Sequence, residues 1–170
     1  MKILAIGDIF GKTGRRIIQR YLPQLKKEYQ IDLVVANVEN ATHGKGISKK
    51  HYHELKSYGI EVMTSGNHIF ALEETQKFIN DFPDLLRPIN SNPYHPGQGT
   101  FLVERKGKKI RITNLIGVTF MSMVAENPYF ALKKIIDWQD CDIHLVDFHA
   151  ETTAEKNALA LRYDGQISAL

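Results

Sequence analysis

Asp8, the Glu39-Asn40 pair, the Asn67-His68 pair and His149 each stand just past a short apolar run. All are oxygen or imidazole donors, a set that suits hard or borderline divalent metals. Each apolar run reads as a β-strand, and strand ends in a parallel sheet converge on one edge. In open α/β sheets that carboxyl edge is where ligands bind. Six polar groups scattered over the sequence would then meet in one place, and the chemistry they suggest is metal-dependent hydrolysis.

Each group also has a plainer reading. Asp8 can ligate a metal or cap the helix that begins near Thr13. The following Gly11-Lys12-Thr13 resembles a phosphate loop, but that motif needs a glycine where Ile6 stands, so the resemblance fails. A backbone anion nest over Gly11–Gly14 stays open. Glu39 has two oxygens and could bridge two cations. The glycine-rich run Ala41-Thr42-His43-Gly44-Lys45-Gly46 either lets backbone approach a ligand closely or is a flexible connection. His43 and Gly44 are the candidate substrate contacts there. His68 alone reads as a loop histidine, and its weight comes from the other strand ends. His149 precedes Ala150-Glu151, so Glu151 either orients the imidazole or favours the first turn of the next helix. His51 and His53, on a lysine-rich helix, read as surface, and His144 as sheet packing. His95 has no nameable partner.

The elements that must position these groups alternate. Strands are expected over Lys2–Gly7, Asp32–Val38, Glu61–Ser65 and Cys141–Phe148, with buried, β-branched-rich runs typical of parallel sheets. Helices are expected over Thr13–Glu28, Ser48–Tyr58, Ala71–Asn80, Pro128–Trp138 and Thr152–Tyr163. In the first, Ile17, Ile18, Tyr21, Leu22 and Leu25 share a face, and Pro23 should kink or split it. Ser48 is a plausible cap and Gly59 a stop. Proline-rich Phe82–Gly99 reads as irregular with one short strand at Leu85-Leu86. Thr100–Arg105 and Lys109–Leu115 flank a Lys-Gly-Lys turn and read as a hairpin. Phe120–Asn127 reads as loop, and Gln166–Leu170 as the start of a further strand. The pattern is α/β with a mixed sheet and flanking helices, in a single domain over 1–170.

Composition narrows the classes. The chain has 170 residues and a formal net charge of +3, too mild and dispersed to argue for nucleic-acid binding. Cys141 is the only cysteine, so no internal disulfide forms; it reads as a small filler at the start of a strand. One thiol fits a reducing cytoplasm. The N-terminal apolar run is too short for a signal peptide, and none approaches the roughly 20 residues that span a bilayer. A cytoplasmic protein without a membrane partner is expected.

Five segments carry a resemblance: Gly7-Asp8-Ile9-Phe10-Gly11, Asn37-Val38-Glu39-Asn40-Ala41, His43-Gly44-Lys45-Gly46-Ile47, Thr64-Ser65-Gly66-Asn67-His68 and Asp147-Phe148-His149-Ala150-Glu151. Together they resemble the bacterial YmdB-type metallophosphoesterases of the calcineurin-like phosphoesterase superfamily, and the resemblance runs from Met1 to Leu170. It implies a four-layered α/β sandwich with two metal ions, divalent or mixed-valence, of iron or manganese. It implies Asp8 and Asn40 on one metal, Asn67 and His149 on the other, Glu39 bridging both, and His68 as the general acid. The implied substrates are small phosphodiesters, 2′,3′-cyclic nucleotides among them. Two cations about 4 Å apart can clamp a phosphodiester and share a hydroxide, and imidazole can protonate the leaving oxygen near neutrality. The resemblance further implies a Gly-Thr-His-Thr-His segment past Leu170 with two more histidine ligands, so a C-terminally truncated sandwich is expected. Apolar surface left uncovered would favour association into a homo-oligomer. Beside the enzyme stands a second reading, a non-catalytic regulatory or nucleotide-binding protein on a phosphoesterase scaffold. A phosphoesterase aimed at RNA ranks below both, since no arginine cluster with interleaved aromatics is present.

Overall fold

A computed structural model describes all residues from Met1 to Leu170. Two three-stranded sheets lie at its centre. The first is parallel, β1 (Ile3–Ile6), β2 (Leu33–Asn37) and β3 (Val62–Thr64), with β2 in the middle. The second is mixed. β4 (Thr100–Arg105) pairs antiparallel with β5 (Lys108–Ile116), and β5 pairs parallel with β6 (Ile143–His149). Helices α1 (Gly11–Tyr29), α2 (Lys49–Ser57) and α3 (Glu73–Phe78) follow the strands of the first sheet; α4 (Pro128–Ile136) and α5 (Thr153–Arg162) flank β6 in sequence.

The alternation of side chains along each strand builds the layers. Leu33 and Val35 of β2 join Val62, Leu86, Ile110 and Ile112 in an apolar layer between the sheets. Val34, Ala36 and Val38 face the other way, into the core beneath α1–α3. On the second sheet Leu115, Val146 and Phe148 pack with Leu132, Leu159 and Tyr163 from α4 and beyond. The order is helix, sheet, sheet, helix, the expected α/β sandwich. No helix is long and apolar enough to cross a membrane.

Local signals work where they are chemical. Ser48 caps α2, its Oγ accepting from His51 N at 3.3 Å. Asn127 caps α4 with Pro128 in the first turn, and Thr152 caps α5. The hairpin turns on Lys106-Gly107, both at positive φ (52° and 70°), the requirement of a tight two-residue turn.

Several expectations are corrected or refined. Pro23 does not split α1; it lies on the exposed side of the helix. The apolar face of α1 is only partly covered: Leu22 is buried, but Ile17, Tyr21 and Leu25 are exposed, because this helix runs by the sheet-edge strand β1. His51 is not surface. It is 8 % exposed and its Nδ1 lies 2.7 Å from Thr42 Oγ1. Gln166–Leu170 forms no strand, only one parallel bridge between Ala169 and Leu145. Leu85 and Leu86 likewise make single bridges, to Met63 and Gln98.

Candidate metal centre at the meeting of two sheets

The expected strand ends do meet, though not on one sheet edge. Asp8, Glu39-Asn40 and Asn67-His68 follow β1, β2 and β3 of the first sheet, whereas His149 is the last residue of β6 in the second. Along β6, Asp147 and His149 share the face of Leu145, which packs into the layer between the sheets. His149 therefore reaches across to the first sheet.

The six side chains form one connected group. Asn40 Nδ2 donates to Asp8 Oδ2 at 2.7 Å and to Glu39 Oε1 at 3.2 Å. His68 Nδ1 donates to Asn40 Oδ1 at 2.9 Å, and the His68 backbone N donates to Glu39 Oε2 at 3.2 Å. His149 Nε2 donates to Asn67 Oδ1 at 3.0 Å and lies 3.4 Å from Glu39 Oε1. Glu39, at 2 % exposure, is the hub. Its Oε1 faces Asn40 and His149, and its Oε2 faces His68. Asp8 does not cap α1, whose first turn receives no side-chain cap. Glu151 makes no hydrogen bond to His149, whose partners are Asn67 and Glu39.

The local sequence explains this placement. The chain leaving β2 is held by Glu39 N donating to Asn37 Oδ1 at 3.1 Å and by Gly11 N donating to Asn40 O at 2.9 Å. Buried Arg15 of α1 donates to the Ala41 carbonyl and pairs with Glu54 at 3.2 Å. Gly66 passes directly beneath the hub. A Cβ there would lie 2.3 Å from Glu39 Oε2 and 2.5 Å from His149 Cδ2, so any larger residue must displace one of these two groups.

Behind the group the sheets are stitched together by polar contacts. Asn114 of β5 accepts from Ser65 N at 2.8 Å and donates to Ser65 O at 2.9 Å. Thr64 Oγ1 donates to Asp147. Burial pushes the Asp147 carboxyl up, and the Thr64 hydroxyl bond opposes that shift. Sequence reasoning passed over Asn114 and Arg15, and quoted Gly66 only as part of a segment, without a role. A polar Asn inside the apolar run of β5 was the available signal for Asn114.

The donor set suits a cation. Asn67 Oδ1 and Glu39 Oε1 both converge on His149 Nε2. A proton on that nitrogen satisfies them here, and a metal ion competes for the same place. Asp8, Glu39 and the histidines do not form a three-ligand cluster by themselves; the Asn67 amide oxygen faces the same nitrogen as Glu39, whereas Asn40 turns its Nδ2 to Asp8 and Glu39 and its oxygen to His68. His43 and Gly44 stand at the Asp8 side. His43 is exposed, 6.2 Å between ring centroids from His51, and Gly44 lies beneath the ring of Phe10. Neither joins the six.

Comparison with known proteins gives the family. Residues 4–170 match the family model described as YmdB-like protein. A Mycoplasma genitalium protein provisionally named a phosphatase/phosphodiesterase is 44% identical over 175 residues, an alignment covering 100% of this chain and 62% of that protein. A 2′,3′-cyclic-nucleotide 2′-phosphodiesterase of Bacillus subtilis is 39% identical over 172 residues, covering 100% of this chain and 65% of that one. The crystal structure of a phosphatase from Mycoplasma pneumoniae superimposes with a TM-score of 0.93 at 45% identity, over 98% of this chain and 61% of that chain. The chain thus spans a little under two thirds of the length of the relatives it matches.

Proposed function

Because this chain belongs to the YmdB-like protein family, we propose that it carries the metal-binding face of a phosphodiesterase for small phosphodiesters, 2′,3′-cyclic nucleotides among them. The observation that carries the reading is the closed group around Glu39, with Asp8 and Asn40 on one side and Asn67 and His149 on the other. Asp8 and Asn40 would hold one cation, Asn67 and His149 a second, with Glu39 between them. Iron or manganese fits oxygen and imidazole donors. When bound, the pair supplies positive charge for the phosphodiester oxygens and lowers the pKa of water.

The chain's own residues do the rest. Glu39 presents its two oxygens to different neighbours, which is what a bridging carboxylate needs. Asn40 holds both Asp8 and His68, so the first donor and the acid share one register. His68 Nδ1–H donates a hydrogen bond to Asn40 Oδ1, which fixes the ring and leaves Nε2 as the nitrogen for proton transfer. In hydrolysis the oxygen of water bonds to phosphorus and one ester P–O bond breaks; the departing oxygen takes the Nε2 proton of His68 in its doubly protonated form, and the proton released by the attacking water passes to solvent, from which the ring is reprotonated. The single half-buried thiol, Cys141, whose pKa burial pushes up, plays no part; it fits a cytoplasmic location.

The test is direct. Purified protein with added manganese or ferrous iron should release phosphomonoester from a 2′,3′-cyclic nucleotide, and Glu39→Gln should abolish release while its circular dichroism and melt stay those of a folded protein. Turnover retained in that variant removes the bridging role. Metal content at background, with nucleotide still bound tightly, favours the non-catalytic binding protein instead.

A further inference from the structure

Residues 117–126 connect β5 to α4 and run beside the candidate centre. Their ends are clamped by one buried side chain. Asn90, 1 % exposed, accepts from Ile116 N at 3.0 Å and donates to Ile116 O at 2.7 Å and Glu126 O at 2.8 Å. Glu126 N returns a bond to Asn90 O at 2.7 Å. Inside the clamp, Gly117 N donates to the His149 carbonyl at 2.9 Å, and the Glu155 carboxylate accepts from Val118 N at 2.9 Å. Further along, Asn67 Nδ2 lies 3.4 Å from Ser122 Oγ. The segment is thus tied to the His149 strand on one side and to Asn67 on the other.

Between those ties stands Phe120. It is 86 % exposed and sits at φ +59°, in the left-handed region that L side chains other than Asn and Asp rarely adopt. Val118 and Val124 of the same segment are exposed as well, but neither has a ring. A clamped segment that holds a strained, unpacked phenyl ring beside the chemistry displays that ring to a ligand. A second exposed ring, Phe10, two residues past Asp8, is already laid over Gly44. Phe120 has a free face.

We propose that Phe120 is the stacking platform for the heterocyclic base of a nucleotide phosphodiester, placing the base over the Asn67–His149 side of the centre while the phosphate lies at the group around Glu39. The inference rests on the phosphodiesterase reading and adds to it the part of the substrate that is recognised. Stacking on aromatic side chains is tolerant of base identity, so purines and pyrimidines should both be accepted, with purines favoured for their larger face.

The experiment compares Phe120→Ala and Phe120→Tyr with the unaltered protein on two substrates, adenosine 2′,3′-cyclic phosphate and methyl riboside 2,3-cyclic phosphate, which lacks a base. Phe120→Ala should lower kcat/KM on the nucleotide roughly tenfold or more, chiefly through KM. It should leave the riboside unchanged, and Phe120→Tyr should behave like the parent. A binding readout runs beside it: saturation transfer from protein to the adenine protons of 2′-AMP, present in the parent and lost in Phe120→Ala. Equal losses on both substrates, or no loss on the nucleotide, overturn the platform while leaving the phosphodiesterase intact. Transfer to adenine that vanishes in Phe120→Ala, with no turnover by the parent, supports the base site and overturns the phosphodiesterase. No transfer and no turnover overturn both.

Discussion

Gly66→Ala is the sharpest probe of the centre, because it adds one methyl at the point where the two sheets hand over their functional groups. Real Cβ atoms essentially never approach another heavy atom within 3.0 Å, yet this one would stand 2.3 Å from Glu39 Oε2 and 2.5 Å and 2.6 Å from His149 Cδ2 and Cγ. The deficit is 0.7 Å on the Glu39 side and 0.5 Å on the His149 side, by subtraction from that limit. Neither neighbour is a loose end. Glu39 is held by Asn40 Nδ2 and His68 N, and His149 by Asn67 and by the pairing of β6 with β5. Overpacking a close-packed site costs about 1–3 kcal/mol, so the melt should fall but a folded protein should remain. Activity should fall further, since a misplacement on the order of 1 Å in a catalytic constellation can cost about 100-fold. Urea unfolding and phosphodiester turnover on the same preparation separate the two effects. A Gly66→Ala protein with parental turnover would falsify the geometry on which the centre is built. So would turnover lost only in proportion to the unfolded fraction.

Two further outcomes are expected away from the hub. His144 of β6 is buried against Thr113, its Nε2 2.8 Å from Thr113 Oγ1, and burial, with Arg111 adding to it and Asp140 opposing, lowers its pKa to about 4. The unfolded chain binds this proton near 6.5 and the folded chain does not, so stability is full above that pH and declines as pH falls from about 6.5 towards 4, by up to about 3 kcal/mol. His144→Asn, which cannot titrate, should flatten that limb in a pH series of urea melts, and an unchanged slope would remove His144 as its origin. Asn90→Ala should leave Ile116 and Glu126 backbone groups unpaired in a buried setting, at a cost of at least about 2 kcal/mol, and should speed amide exchange over 117–126 before the rest of the fold. Uniform exchange across the chain would count against the clamp.

Much of this architecture is legible in residue types and spacing, and the exceptions share a cause. Ser48, Asn127, Thr152 and the Lys106-Gly107 turn act on backbone within four residues of themselves, so their chemistry can be read locally. The strand ends carrying Asp8, Glu39 and Asn67 are legible because parallel strands end on one side. What sequence does not encode locally is which sheet a strand joins. His149 lies 82 residues from Asn67 along the chain, and its strand pairs with β5, not with the sheet that holds the other five groups. Burial of His51 is equally non-local, because it follows from Thr42 lying across the ring rather than from the lysines beside it. The role of Gly66 is illegible for a different reason, although the residue stands in one of the segments that carry the resemblance. Its role is the absence of a side chain, and absence at one position leaves no pattern.

Two forces of different character join the sheets, and they have different consequences for the site. The apolar layer of Leu33, Val35, Val62, Leu86, Ile110 and Ile112 supplies adhesion, but hydrophobic contact is non-directional and would tolerate a small slide of one sheet on the other. Hydrogen bonds do not tolerate it, since they weaken steeply with misalignment. The reciprocal Ser65–Asn114 pair and the Thr64–Asp147 contact stand one to three residues from Gly66, Asn67 and His149, at the end of the layer where the functional groups meet. A slide large enough to separate His149 from Asn67 would first break these bonds in a buried setting, where each unpaired group costs about 1–3 kcal/mol. The polar stitching thus fixes the spacing between the sheets where placement matters most, and the apolar layer holds the sheets together without having to set their register.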